Sequence, residues 1–336
     1  MANSFRASAL LAALLLSGCE TLSYYLQAAN GHAELMRLAR PVQEVIDDPA
    51  TSPALRSQLA AAAAIREFAS RELKLPDNGS YRRYAALGRP FAVWNVVAAP
   101  EFSLEPVVSC FPFAGCVTYR GFFSREDAER YAAEQRAEGR DAYVAGVPAY
   151  STLGWTDDPL LSTFIGYPAP ELARLLFHEL AHQELYLKGD SAFNESFAVA
   201  VEREGLRRWL AAAHDDAEAV KRDEERMRLL EALLRDARER LAAIYARPLD
   251  PEKMREEKRR SFAALREQGR AIRGYERLFE AEPNNAFLAA FATYTQYVPA
   301  FERLLRESGG NLESFYAKAK ELSGLEKTLR DEKLKD

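Results

Sequence analysis

Apolar residues recur at helical spacing over most of this chain and at strand spacing in one middle stretch. From Ser23 to Leu75, the residues Leu26, Ala29, Leu35, Leu38 and Ala39 share one helical face. A proline-bounded break and the alanine-rich run "LRSQLAAAAAIREFASREL" follow, which together predict an N-terminal helical layer. Past "LPDNGS" the texture changes. "FAVWNVVAAP", "LEPVVSCF", "CVTYRGFF" and "DAYVAGVPAY" are short β-branched and aromatic runs between Pro, Gly and charged turns, so a small mixed or antiparallel sheet is expected. One helix, "SREDAERYAAEQRAEG", interrupts it, opened by Ser124 with Asp127 three residues on as a capping pattern.

From Pro168 onward the chain reads as almost wholly helical. Met227, Leu230, Leu234, Ala237, Leu241 and Ile244 recur at alternating threes and fours, and Phe262, Leu265, Ile272 and Phe279 continue the register after "RPLDPEK". Two long helices joined at Pro248–Pro251 would form a charged hairpin over residues 215–280. The fold class is therefore α+β, predominantly helical. With 336 residues, 48% of them apolar, the chain can bury a substantial core as one large domain or two modest ones. The division expected is a leader over 1–18, a helical segment over 19–80 and a main domain over 81–336.

Charge removes one class of function. The 45 basic and 50 acidic residues nearly cancel and are interspersed, so no sustained basic face exists for nucleic acid. The first residues place the chain in a compartment. Arg6, an apolar run from Ala7 to Leu16 too short to span a bilayer, and small residues after it describe an export signal. Its end, Leu16-Ser17-Gly18-Cys19, resembles the bacterial lipobox. That resemblance implies lipidation of Cys19, and Glu20 in the following position implies transfer to the outer membrane, facing the periplasm. Export to an oxidising compartment leaves Cys110 and Cys116, in "CFPFAGC", as either a structural disulfide or two buried thiols.

The chemistry concentrates in "FHELAHQELYLKGDSAFNESFAVAVE", Phe177 to Glu202. His178 and His182, four residues apart, are neighbours on one helical face, so both imidazoles can reach a single ion, with Glu179 at the flank. Zinc held by neutral side chains lowers the pKa of its water, and a carboxylate alongside can take the proton. A third ligand is needed. The first helix is expected to stop at Gly189 and Ser191 to cap the next one, which turns Glu195 in its first turn back towards His182. Glu195 is the preferred third ligand, and Glu202, two turns on, would orient His178 through its ring N–H; the competing assignment makes Glu202 the ligand. His32 and His214 stand alone: His32 reads as a surface or capping histidine and His214 as a surface one.

"HELAH" followed by "NESFAVAVE" resembles the signatures of gluzincin metallopeptidases. The resemblance implies one zinc ion bound by His178, His182 and Glu195, Glu179 as general base and a zincin-like helix pair packed on the sheet. Only twelve residues separate His182 from Glu195, fewer than in thermolysin or the large aminopeptidases, so the chain must turn back sooner. More widely, "AGCVTYRGFF", "AYSTLGWTDDPLLSTF", the two signatures and "NNAFLAAFATYTQYVPAFERLL" look like the putative aminopeptidase family of proteobacterial lipoproteins, which implies peptide substrates. In "AYSTLGWTDDPLLSTF", just before the HELAH helix, Trp155 could floor a pocket and Asp157 and Asp158 could accept a substrate ammonium group or simply make a surface turn. An oxyanion donor is also needed, with Tyr294 the leading candidate and Tyr297 and Tyr150 the others. Against the peptidase stands a non-catalytic envelope lipoprotein that keeps zinc and serves as a scaffold. A purely structural site has no use for Glu179 between the histidines, which favours the enzyme.

Overall fold

Residues 23–111, 115–213 and 217–335 are described by the computed structural model of the chain, and they form an α+β fold that is mostly helical. Residues 1–22, with the leader, Cys19 and Glu20, lie outside the described residues, as does His214. Three helices come first: α1 (residues 23–38), α2 (Val42–Asp47) and α3 (Pro53–Leu73). The Ser52 hydroxyl accepts from the Leu55 N–H at 3.3 Å and Pro53 occupies the first turn, so α3 starts on a cap followed by a residue that has no N–H to waste.

The β-rich middle divides into three small sheets. Strands β1 (Arg40–Pro41), β2 (Arg83–Ala85), β3 (Val93–Pro100), β4 (Ser109–Phe111), β5 (Gly115–Val117), β6 (Arg120–Phe122), β7 (Arg140–Val147) and β8 (Leu160–Leu161) pair in the orders β1-β2-β8, β6-β3-β7 and β4-β5. The central sheet is antiparallel, with β3 and β7 in register over eight pairs from Val93↔Val147 to Pro100↔Arg140. Alternation along β3 sends Val96 towards helix α4 (Arg125–Ala137), against Ala128 and Ala132, and sends Val97 and Ala99 to the opposite face. Ser124 caps α4 as its sequence predicts, accepting from Asp127 N–H at 3.2 Å. The β4–β5 hairpin pairs Cys110 directly with Cys116, and their sulfurs are bonded at 2.08 Å.

The remaining helices are α5 (Ala169–Glu184), α6 (Ser191–Ala213), α7 (Ala217–Tyr245), α8 (Pro251–Arg270), α9 (Asn285–Thr295), α10 (Val298–Glu307), α11 (Leu312–Ser323) and α12 (Lys327–Lys333). One cluster of buried residues joins α3 (Leu59, Ile65, Leu73) to α5 (Leu172, Leu176, Leu180), α6 (Phe193, Phe197, Val201), α10 (Phe301) and α11 (Phe315). Alanines 173, 181 and 198, all buried, let these helices approach closely. A second cluster joins Leu230, Leu234 and Leu241 of α7 to Phe262 and Leu265 of α8, and Phe287 and Leu288 of α9 pack against it; Ala286 and Ala289 of α9 cover the far face of β3.

Two expectations about the α5–α6 turn need correcting. Helix α5 ends at Glu184, with Leu185 extended, five residues before Gly189. Gly189 instead sits within the loop at φ 86°, backbone that suits glycine. The cap of α6 is Asp190, not Ser191: its carboxylate accepts from Phe193 N–H at 3.1 Å and is itself anchored by Arg330 of α12 at 2.7 Å. A buried guanidinium from the chain's end thus selects which of two adjacent cap-competent residues begins the helix.

Candidate metal centre

Asn194 makes the sharp return between α5 and α6. Its side-chain oxygen accepts from Leu187 N–H at 2.7 Å and its amide donates to Leu187 C=O at 2.8 Å, closing the loop on both backbone groups. With the loop closed, Glu195 stands opposite the one-turn pair His178 and His182. Three donor atoms converge there: the two Nε2 atoms are 3.2 Å apart, and Glu195 Oε2 lies 3.2 Å from His178 Nε2 and 3.5 Å from His182 Nε2.

Those separations test whether a metal ion fits. An ion about 2.0–2.1 Å from nitrogen and oxygen donors in tetrahedral arrangement spreads its ligands about 3.3–3.4 Å apart, the scale of all three edges. The donor chemistry agrees. Two imidazole nitrogens at 3.2 Å cannot both present bare lone pairs to each other, so a proton or a metal ion stands between them, and both belong to largely buried rings. Of the described residues, His178, His182 and Glu195 are the group able to hold a metal ion.

The charges around the triangle are mutually dependent. Burial lowers the affinity of His178 for a proton, but the hydrogen bonds and charges of Glu195 and Glu202 outweigh it, so this imidazole sits well above its ordinary 6.5. Burial raises the Glu195 carboxyl, and the two imidazoles overcome that and bring it down to about 2. Glu202 is not in the triangle: its carboxylate lies 3.1 Å from His178 Nδ1, the other ring nitrogen. Glu179 lies outside it too, its carboxyl raised above 4.5 chiefly by burial, with the imidazoles opposing and Glu195 and Asp158 adding to the rise.

The centre opens onto a cleft of about 1100 Å³ whose walls include His178, Glu179, Glu202 and Tyr294. The Tyr294 ring lies 6.4 Å from that of His178, and the negative charge of Glu195 pushes its hydroxyl well above 10, so it remains a donor. Tyr297 is elsewhere engaged, its hydroxyl on Asp331 at 3.1 Å, and Tyr150 packs between His32 and Phe123. Tyr119 on the β5–β6 connection is a residue that the sequence reading passed over. Its hydroxyl is raised by burial first and then by the charges of Glu195 and Glu179, which puts it in the field of the same centre. The signal was present, because it stands within "AGCVTYRGFF".

The loop over Tyr150–Pro159 is not part of that cleft. Asp158 is 1% exposed and accepts from Thr152 N–H at 2.9 Å and Thr152 hydroxyl at 2.7 Å, so its carboxylate organises the loop. Asp157 lies against Gly79, where a Cβ would stand 2.3 Å from its carboxyl carbon. Trp155 is 78% exposed. The loop does brace the centre from behind: Gln183, next to His182, donates to Ser80 at 3.2 Å, accepts from Asn78 at 2.8 Å, and Ser80 receives Asp158 N–H at 3.2 Å.

A family model described as putative aminopeptidase matches residues 23–334. The chain belongs to that family. Its name is that of a peptidase, and the match takes in every residue of the centre as well as α7 to α12. No curated protein and no solved structure matches this member of the putative aminopeptidase family.

Proposed function

We propose that the protein is a lipid-anchored zinc peptidase of the gluzincin kind, cleaving peptide bonds at the periplasmic face of the outer membrane. The observation that carries this reading is the triangle of His178, His182 and Glu195, which meets the cleft at His178, with Glu179 also in the cleft wall and outside the ligand set. Two imidazoles and one carboxylate are the donors of zinc hydrolases that keep a coordination position open. Zinc bound there would polarise the scissile carbonyl and bring the pKa of a water close to neutrality.

The chain's own groups do the rest. The Glu179 carboxylate takes a proton from the attacking water as its oxygen bonds to the carbonyl carbon, then delivers that proton to the nitrogen as the C–N bond breaks and the amine leaves. The Tyr294 hydroxyl donates to the carbonyl oxygen as negative charge develops on it. Glu202 holds the Nδ1 proton of His178, which turns Nε2 towards the ligand position. In this reading α5 and α6 are the zincin-like pair, and α7 supplies the far wall of the cleft. Anchoring rests on the lipobox at Cys19; no helix among the described residues is long and apolar enough to cross a membrane.

The deciding experiment uses the full chain purified in detergent, loaded with zinc and incubated with a peptide mixture whose products are weighed by mass spectrometry. Cleavage is expected, with the product masses showing whether residues leave singly from the amino end. Glu179→Gln should retain zinc and lose about a hundred- to ten-thousand-fold in turnover. Equal cleavage by parent and variant would overturn the mechanism, and no cleavage by the parent would favour a scaffold.

A further inference from the structure

One face of α7 lines the cleft: Met227, Leu230, Glu231, Leu234, Arg235 and Arg238 recur every three or four residues. At 1.5 Å per residue this wall is about 16 Å long, room for about five residues of extended peptide. Its contacts order it along the cleft. Met227 Sδ meets Arg174 at 3.6 Å, one turn before His178 on α5. Glu231 pairs with Arg203, which follows Glu202, and Glu202 holds His178. Arg238 donates to Leu104 C=O at 2.9 Å and to Glu105 at 2.8 Å at the other end. Glu231 is therefore linked to His178 through Arg203 and Glu202, and Arg235 lies one turn further along α7, about 6 Å along the axis.

The arginines of this wall differ in what they meet. Arg203 is held by Glu231 and Glu302, Arg238 by Glu105, and Arg174 lies 3.9 Å from Glu202. Arg235 is exposed, lines the cleft and has no side-chain partner among the described residues. A guanidinium without a partner, in a cleft where Arg174, Arg203 and Arg238 each face a carboxylate, is a receptor for an anion brought by the ligand. Six ångströms is about two residues of extended chain.

On the peptidase reading above, we propose that Arg235 receives the C-terminal carboxylate of a short peptide, about two residues beyond the scissile bond. The substrate class is then small peptides with a free carboxyl end. An acidic side chain at the same position offers the same chemistry, and the test separates the two sources.

The zinc-loaded full chain is assayed with the tripeptide Ala-Ala-Ala, with its C-terminal amide, and with Ala-Ala-Glu amide. The free acid should be cleaved with a kcat/KM about tenfold or more above that of the amide, mostly through KM, the scale of one charge-assisted contact to a partly exposed group. Arg235→Gln, which suits an exposed helix position, should bring the acid down to the amide's value and leave the amide unchanged. Equal cleavage of acid and amide by the parent, or a preference that survives in the variant, would overturn the assignment. Ala-Ala-Glu amide matching the free acid would overturn its terminal form. Calorimetry with Ala-Ala-Ala carrying a CH2–NH link in place of its first peptide bond separates this inference from the peptidase reading. If no peptide is cleaved but the acid form still binds about tenfold tighter than the amide, and only with Arg235 present, the carboxylate site stands and the peptidase falls.

Discussion

Glu202 and Glu195 take opposite edges of one imidazole: His178 Nδ1 lies 3.1 Å from Glu202, and its Nε2 lies 3.2 Å from Glu195. Only the Nε2 side faces His182, so the two glutamates are not interchangeable. A carboxylate on Nδ1 sets the ring's tautomer, while one on the Nε2 side shares the ion.

Glu195→Ala should therefore abolish tight metal binding, and Glu202→Ala should weaken it only about 10–100-fold. Competition against a chromophoric chelator measures both. Full affinity in the Glu195 variant with complete loss in the Glu202 variant would reverse the ligand assignment.

Tyr294→Phe removes one hydroxyl from the cleft wall and leaves the ring against His178. If that hydroxyl meets the developing oxyanion, kcat falls about 10²–10³-fold while metal content and KM hold nearly constant. A variant with the parent's kcat would pass the role to another donor, and Tyr119 is the first to try.

What could be read in the sequence follows the range of the forces involved. His178 and His182 were legible because four residues on a helix is a local fact, and β3 was legible as a β-branched and aromatic run because burial on both faces favours apolar residues at successive positions. The end of α5 was not, since Leu185 is extended while Asn194, seven residues past Leu187, ties the loop down. Nor could Asp190 be told from Ser191 as the cap, because Arg330 decides it from 140 positions away. Strands β1, β2 and β8 have two or three residues each, too few for alternation to show. The cleft was hidden for another reason. Leu230 and Leu234 of α7 belong to the core shared with α8 and also line the cleft, so their periodicity reads as a seam, and Arg235 is one charge among many on that helix.

Cys19 tests the anchoring proposal. Replacing it with Ala should move the protein from the membrane to the soluble fraction with unchanged metal content, because the acyl chains are the only anchor proposed and the site is remote in sequence from His178. A variant that still pellets with membranes would shift attention to another attachment surface.

Arg330 and Asp190 are each 6% exposed and 2.7 Å apart, and they join α12 to the first turn of α6, five residues before Glu195. Arg330 also donates to Leu325 C=O at 2.7 Å. Removing Arg330 leaves the buried Asp190 carboxylate with only the exposed Lys327, 3.7 Å away, as a charged partner, so Arg330→Met should cost about 3 kcal/mol in urea unfolding. The double variant Arg330→Met with Asp190→Asn should recover part of that, because no charge is left unpaired and an Asn can still cap α6. The same cap positions Glu195, so the single variant should also bind metal more weakly than the double one. Equal stability and equal metal affinity in parent and Arg330→Met would mean that α12 does not hold the ligand helix in place.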